Sequence, residues 1–217
     1  MTISVQSSRA RTRGFTLLEL LVVVGIIGLL FALVVPAFTG ISRGQGMRSA
    51  VTQLRTTTAL ARQWAVTRNE RTYVVFPGDT LTYNRTNVTM AYRSYAVWAE
   101  RSGYVSEWRR LPVGVVFDPT PSLTNNLFNG SANPGDKIIS VPFPMPTSSS
   151  QQVFAIAFMP NGRLKGESWR SLFLREGWVD VDTNAAAVLG VQNKPSSTYQ
   201  MELEFRPLTG GVRIYEL

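Results

Sequence analysis

The chain has 217 residues, 44% hydrophobic and 17% charged, which is apolar material enough for one ordinary domain with a real core and a further segment. It contains no cysteine and no histidine, which excludes disulfides, thiol nucleophiles, imidazole bases and every metal centre built on those ligands. The formal charge of +8 rests mostly on arginine, a side chain suited to phosphate or carboxylate, and Arg9, Arg11 and Arg13 supply part of it from the first fourteen residues alone.

Those residues, 1–14, form a short basic leader with no apolar core of its own. From Leu20 to Val35 every residue is then apolar or glycine, and continuing to Phe38 gives roughly 28 Å of helix, enough to cross a bilayer core. A secretory signal peptide would have a shorter apolar part ending in a small-residue cleavage site, which Pro36, Ala37 and Phe38 do not make. Arginines before the run and Arg43 and Arg48 after it favour a cytoplasmic N-terminus only mildly. Glu19 stands apart, because a carboxylate entering lipid costs on the order of 3 kcal/mol at a helix centre. A cut between Gly14 and Phe15 would place a new α-amino group four residues before it, and the positive end of the helix would favour its charge as well.

The stretch "RGFTLLELLVVVGIIGLL" resembles the class III leader of type IV pilins and type II secretion pseudopilins. The resemblance implies that a prepilin peptidase removes residues 1–14 after Gly14 and methylates the new amine of Phe15. It implies that Glu19, fifth in the mature chain, guides the subunit into a filament, and that Pro36 bends the helix. Its partners would be other pilins through the N-terminal helix, the peptidase and the inner-membrane assembly machinery. The chain would cross the inner membrane once, N-terminus cytoplasmic and globular domain periplasmic, before joining a pilus or pseudopilus. Residues 15–38 then form the transmembrane and filament-core helix.

Beyond it, "GISRGQG" at 40–46 is rich in glycine and loosens or breaks the helix. Met47, Ala50, Val51, Leu54, Thr58, Ala61, Trp64 and Ala65 recur at three and four, so 39–71 reads as an amphipathic helix packing on a sheet. Arg48, Arg55 and Arg62 repeat along its flank, as a solvated border or a contact with a neighbour or a polyanion. Residues 72–217 read as a β-rich domain, with strands around "TYVVF", "MAYRSYAVWAE", "LPVGVVF", "VFAIAFMP", "SLFLREG", "YQMELEFRP" and "VRIYEL". Pro160-Asn161-Gly162 and Leu208-Thr209-Gly210-Gly211 are turn clusters, the second closing a terminal hairpin. Residues 118–150, crowded with Pro, Ser, Asn and Gly, read as one long surface loop. The class is α+β: a long N-terminal helix, half membrane-spanning and half amphipathic, on a mostly antiparallel sheet.

"LPVGVVF", "FMPNGRL" and "PLTGGVRIYEL" are similar to the GspH/FimT type of pseudopilin. DNA-binding members of that type, minor pilins of natural transformation, carry a G-R-x-R pattern near the end; here the chain reads Gly210-Gly211-Val212-Arg213, and only Arg213 matches a basic position. Arg163, Arg206 and Arg213 fall near turns that the fold could bring together, so DNA is the second reading beside a purely structural subunit. Trp98, Trp108, Trp169 and Trp178 could stack bases or serve as core and subunit contacts. "GSANPGDK" at 130–137 lacks the spacing and the Ser or Thr of a phosphate loop, and "GQGMRS" misses a dinucleotide pattern. "DVDTN" at 180–184 has calcium-loop spacing without its glycine and later glutamate. The expectation is a subunit that assembles, with no catalytic residue, cofactor or metal.

Overall fold

A computed structural model of the protein describes residues 16–41, 44–123, 125–129, 137–166, 169–195 and 199–217. It divides into two compact units, 1–43 and 44–217. Gly14 and Phe15 lie outside the described residues.

The first unit holds α1 (Leu17–Ile41), 25 residues of helix apolar on every side apart from Glu19 in its first turn and Thr39 near its end. Such a helix has no face suited to water, and the described side chains from Thr16 to Phe31 are all exposed in this chain. The helical backbone continues through Pro36 and Gly40, although Pro36 has no N–H to give the preceding turn. Among the described residues, whose α1 side chains end at Phe31, no helix is long and apolar enough to cross a membrane.

The second unit begins at Gly44, whose φ of 79° is the left-handed conformation that glycine adopts without cost. From there α2 (Gln45–Arg68) buries Met47, Ala50, Val51, Leu54, Thr57, Thr58, Ala61 and Ala65, the three-and-four spacing of a helix lying on a sheet. Trp64 is only half-buried, and Thr57 replaces it on the buried face. The helix stops at Asn69, left-handed at φ 50°, and Glu70 closes the turn by donating its N–H to the Ala65 carbonyl.

Two antiparallel sheets follow. In the first, β3 (Gly103–Tyr104), β2 (Ser94–Ala99), β1 (Thr72–Phe76), β7 (Ser150–Phe158) and β6 (Ile138–Pro142) lie in that order, and β4 (Arg109–Arg110) pairs with the start of β2. In the second the order is β11 (Val212–Glu216), β10 (Gln200–Phe205), β8 (Arg170–Asp182), β5 (Val115–Phe117). The far half of β8 leaves that sheet to pair with β9 (Ala187–Asn193), pivoting at Gly177, where a Cβ would collide with the Gln192 carbonyl oxygen.

The main core gathers the buried face of α2, one face of the first sheet (Val74, Phe76, Tyr95, Val97, Phe154, Ile156) and Leu172, Leu174, Leu203 and Phe205 of the second. The other face of the first sheet has its own cluster, in which Tyr73, Val75, Ala96, Val153 and Ala155 meet Leu81, Val141 and Phe143. Burial on both faces is why β1 reads as an unbroken apolar run instead of an alternation.

The expectation of one surface loop over 118–150 needs correction. Its described residues include β6 and a plug: Leu127 and Phe128 enter the main core, and the Phe128 ring lies 5.1 Å from both Tyr92 and Phe154. The plug is pinned by polar groups. Asn126, fully buried, donates to the Pro119 and Pro121 carbonyls, and the Lys137 ammonium donates to the Asn126 and Asn129 carbonyls, each at 2.9 Å. Buried Asp118 meets the Arg175 guanidinium at 2.7 Å and accepts from Gln200 Nε2, tying the start of the segment to β8 and β10. Prolines and asparagines shape this backbone, but two apolar side chains decide where it goes.

Candidate functional site

Two places carry the residues singled out by sequence, and they belong to different units. In the first unit, Glu19 sits exposed in the opening turn of α1, where the unpaired N–H groups of the helix concentrate positive potential. The Thr16 hydroxyl oxygen accepts the Glu19 N–H at 3.2 Å, and the Thr16 carbonyl accepts the Leu20 N–H. Thr16 is therefore the cap of this helix, and "TLLE" is a capping box in spacing. In the sequence Thr16 is marked as a cap only by that four-residue pattern. Capping fixes the start of the helix at Leu17, and the Glu19 carboxylate in that first turn meets the positive end of the helix. Pro36 lies well inside the helix.

In the second unit the two glycine turns do converge. Leu164 donates its N–H to the Pro207 carbonyl at 3.0 Å, and Gly210, at φ 62°, approaches so closely that a Cβ there would collide with the Gly162 carbonyl oxygen. The same Gly162 oxygen accepts from Arg62 Nε at 3.1 Å. Arg62, read from sequence as a solvated border or a contact with a neighbour or a polyanion, thus fastens α2 to the 160–162 turn and lies against Gly210 of the other.

The three arginines named for nucleic acid are placed unequally around this junction. Arg163 is exposed, with its own N–H bonded to Asn161 Oδ1. Arg206 spends its guanidinium on Glu204, Nε to Oε1 at 3.2 Å. Arg213 is exposed but faces Glu204 across the β10 and β11 register. Glu204, two residues from Arg206, therefore offsets part of the charge that the sequence appeared to gather. Arg48, also on the flank of α2, meets the Tyr199 hydroxyl instead of solvent alone.

The remaining candidates resolve into structure. Asp182 accepts the N–H groups of Asn184 and Ala185, so its carboxylate shapes the turn between β8 and β9. Trp98 lies in the second cluster against Tyr73, ring centroids 5.5 Å apart, and Trp108 packs on Tyr104 and Phe143. Trp169 and Trp178 are about half exposed. A shallow groove of about 540 Å³ is lined by Tyr104, Glu107, Trp108, Pro144, Met145 and Pro146, with Glu107 its sole carboxylate.

Residues 9–35 match a family model described as the prokaryotic N-terminal methylation motif. No curated protein and no solved structure matches the chain. The motif marks a leader of the class III prepilin kind at the head of a type IV pilin-like or pseudopilin-like chain, and a helix followed by antiparallel sheets is consistent with that kind of fold.

Proposed function

We propose that the chain is a minor pilin or pseudopilin of the GspH/FimT type, a structural subunit that assembles through its N-terminal helix at or near the tip of a type IV pilus or a type II secretion pseudopilus. The methylation motif over 9–35, with Glu19 in the first turn of an otherwise mostly apolar helix, carries this reading. The peptidase cuts after Gly14 and methylates Phe15. The freed helix is stored in the inner membrane, with the 44–217 unit on the periplasmic side. Assembly then exchanges lipid for neighbouring helices, and the Glu19 carboxylate pairs with a neighbour's N-terminal amine. The subunit performs no chemistry of its own.

The test is the Glu19→Ala variant in cells. Membrane insertion and leader cleavage should be unchanged while the protein disappears from sheared filaments; normal incorporation would sink the proposal.

A second reading, DNA capture, is favoured by one observation: the turns bearing Arg163, Arg206 and Arg213 are brought to one junction beside Arg62. A short DNA duplex should then bind with steep salt dependence, log affinity falling by about 0.9 per phosphate neutralised per log unit of salt. Binding that is absent at low salt, or unchanged in Arg213→Ala, removes it.

A further inference from the structure

The end of the 44–217 unit at which α2 begins has an unusual set of exposed side chains. Gly46, in the first turn of α2, faces the segment 112–115: a Cβ there would touch Val115 Cγ2 at 3.5 Å and the Val113 carbonyl oxygen at 3.8 Å. Val113 itself, at the tip of that turn, is wholly exposed at 104%. Gly177 donates its N–H to the Gly114 carbonyl at 2.9 Å, which brings the exposed Trp178 to the same turn. Arg109 and Arg110 lead into it, both exposed, and Arg48 stands on the next turn of α2.

These guanidiniums are short of anions. Among the described residues neither Arg109 nor Arg110 forms an ion pair, and Arg110 makes one long bond, 3.4 Å, to the Thr89 hydroxyl. Arg93 adds a third positive group beside Arg110, and its buried Nε has no hydrogen-bond partner. The nearby carboxylates are engaged, Glu176 with Lys194 at 3.9 Å and Glu216 with Tyr199. Glu107 stays exposed at the groove two residues before Arg109.

We propose that this rim, Val113 and Trp178 flanked by Arg48, Arg109 and Arg110, rests on the anionic phospholipid surface while the subunit waits in the membrane. The inference depends on the anchoring role assigned above to α1. In the sequence only residues 42 and 43 lie between Ile41 and Gly44, so α2 is the first element to follow the anchoring helix. The chemistry fits the place. Indole rings favour the headgroup level, guanidiniums bind phosphate in pairs of hydrogen bonds, and a basic group within a Debye length of about 8 Å is drawn to anionic lipid. The other end of the unit, near Arg62 and the exposed Leu208, lies about 24 Å further along α2 and offers a control.

Because the chain has no cysteine, single nitroxide labels can be placed cleanly by Val113→Cys and Leu208→Cys in the full mature chain, in nanodiscs. With phosphatidylglycerol in the disc, the label at 113 should collide several-fold less with an aqueous nickel chelate, relative to oxygen, than the label at 208. Phosphatidylcholine discs, high salt or Arg109→Ala with Arg110→Ala should erase the difference. Equal accessibility at the two sites in phosphatidylglycerol overturns the proposal, and so does protection that ignores lipid charge. A chain that does not co-elute with the discs overturns the anchoring role instead, which keeps the two failures distinct.

Discussion

Glu70 is a position at which a single substitution should cost the second unit heavily. Its side chain is 3% exposed, yet it is ionisable and sits where α2 ends. The carboxylate accepts from Trp64 Nε1 at 3.0 Å, the Arg101 N–H at 3.0 Å, the Ser102 N–H at 3.2 Å and the Ser102 hydroxyl at 2.5 Å, with the Arg101 guanidinium 3.8 Å away. It thereby locks the helix end to the turn between β2 and β3. Glu70→Ala strands four donors. Water can reach the backbone groups of the exposed Arg101 and Ser102, so the loss approximates two charge-assisted bonds, about 3–5 kcal/mol. In a unit of this size that lowers Tm by roughly 6–20 °C.

The same geometry sets a pH dependence. Burial pushes the Glu70 pKa up, but the hydrogen bonds from Ser102, Trp64 and Arg101 outweigh it and hold the pKa below the ordinary 4.5. A carboxyl with a depressed folded-state pKa stabilises fully above its unfolded value, and that contribution fades as pH falls through the folded value. Urea titrations of the wild type and Glu70→Gln should therefore diverge above pH 4.5 and converge in more acid solution. A loss below about 1 kcal/mol at neutral pH, or a gap that ignores acid, would refute the network as the source of stability.

Phe128→Ala should cost about 3–5 kcal/mol in urea denaturation, as a core phenylalanine does; a surface-loop residue would cost almost nothing. Gly210→Ala places a side chain at positive φ and against the Gly162 oxygen, so at least about 2 kcal/mol should be lost, measurable by thermal unfolding. Arg62→Ala removes a charge-assisted bond to that oxygen and should lose about 1.5–3 kcal/mol while also raising hydrogen exchange at Gly162 and Leu164.

The parts of the fold with one-dimensional periodicity were legible. The buried positions of α2 follow from spacing except at Trp64, which is half-buried, and Thr57, which takes its place, and β1, β7, β8, β10 and β11 stand where their β-branched and aromatic runs stand. What escaped depends on distant partners. Strands β3 and β4 are two residues each and exist because β2 offers an edge, while β9 is a short glycine-containing stretch that forms against an extended β8. Strand β6 is masked by the prolines around it. The candidate site divides the same way. Glu19 announces itself as a charge in an apolar run, and the two glycine turns are visible as turns. Arg62 reaching Gly162 involves a side chain whose neighbour is set only by folding, whereas Glu204 and Arg206, two residues apart at the end of one strand, were in reach of the sequence pattern.

The segment around Asn126, Leu127 and Phe128 also changes how this protein could be shortened or diversified. A proline- and asparagine-rich stretch invites deletion, or use as a display site for foreign peptides. Here its two ends behave as a keystone: removing 118–150 would take an outer strand from one sheet and leave a hole lined by Phe76, Tyr92, Phe117 and Phe154. Foreign sequence is better accepted at the turn 183–186, where β8 and β9 pair with each other on either side.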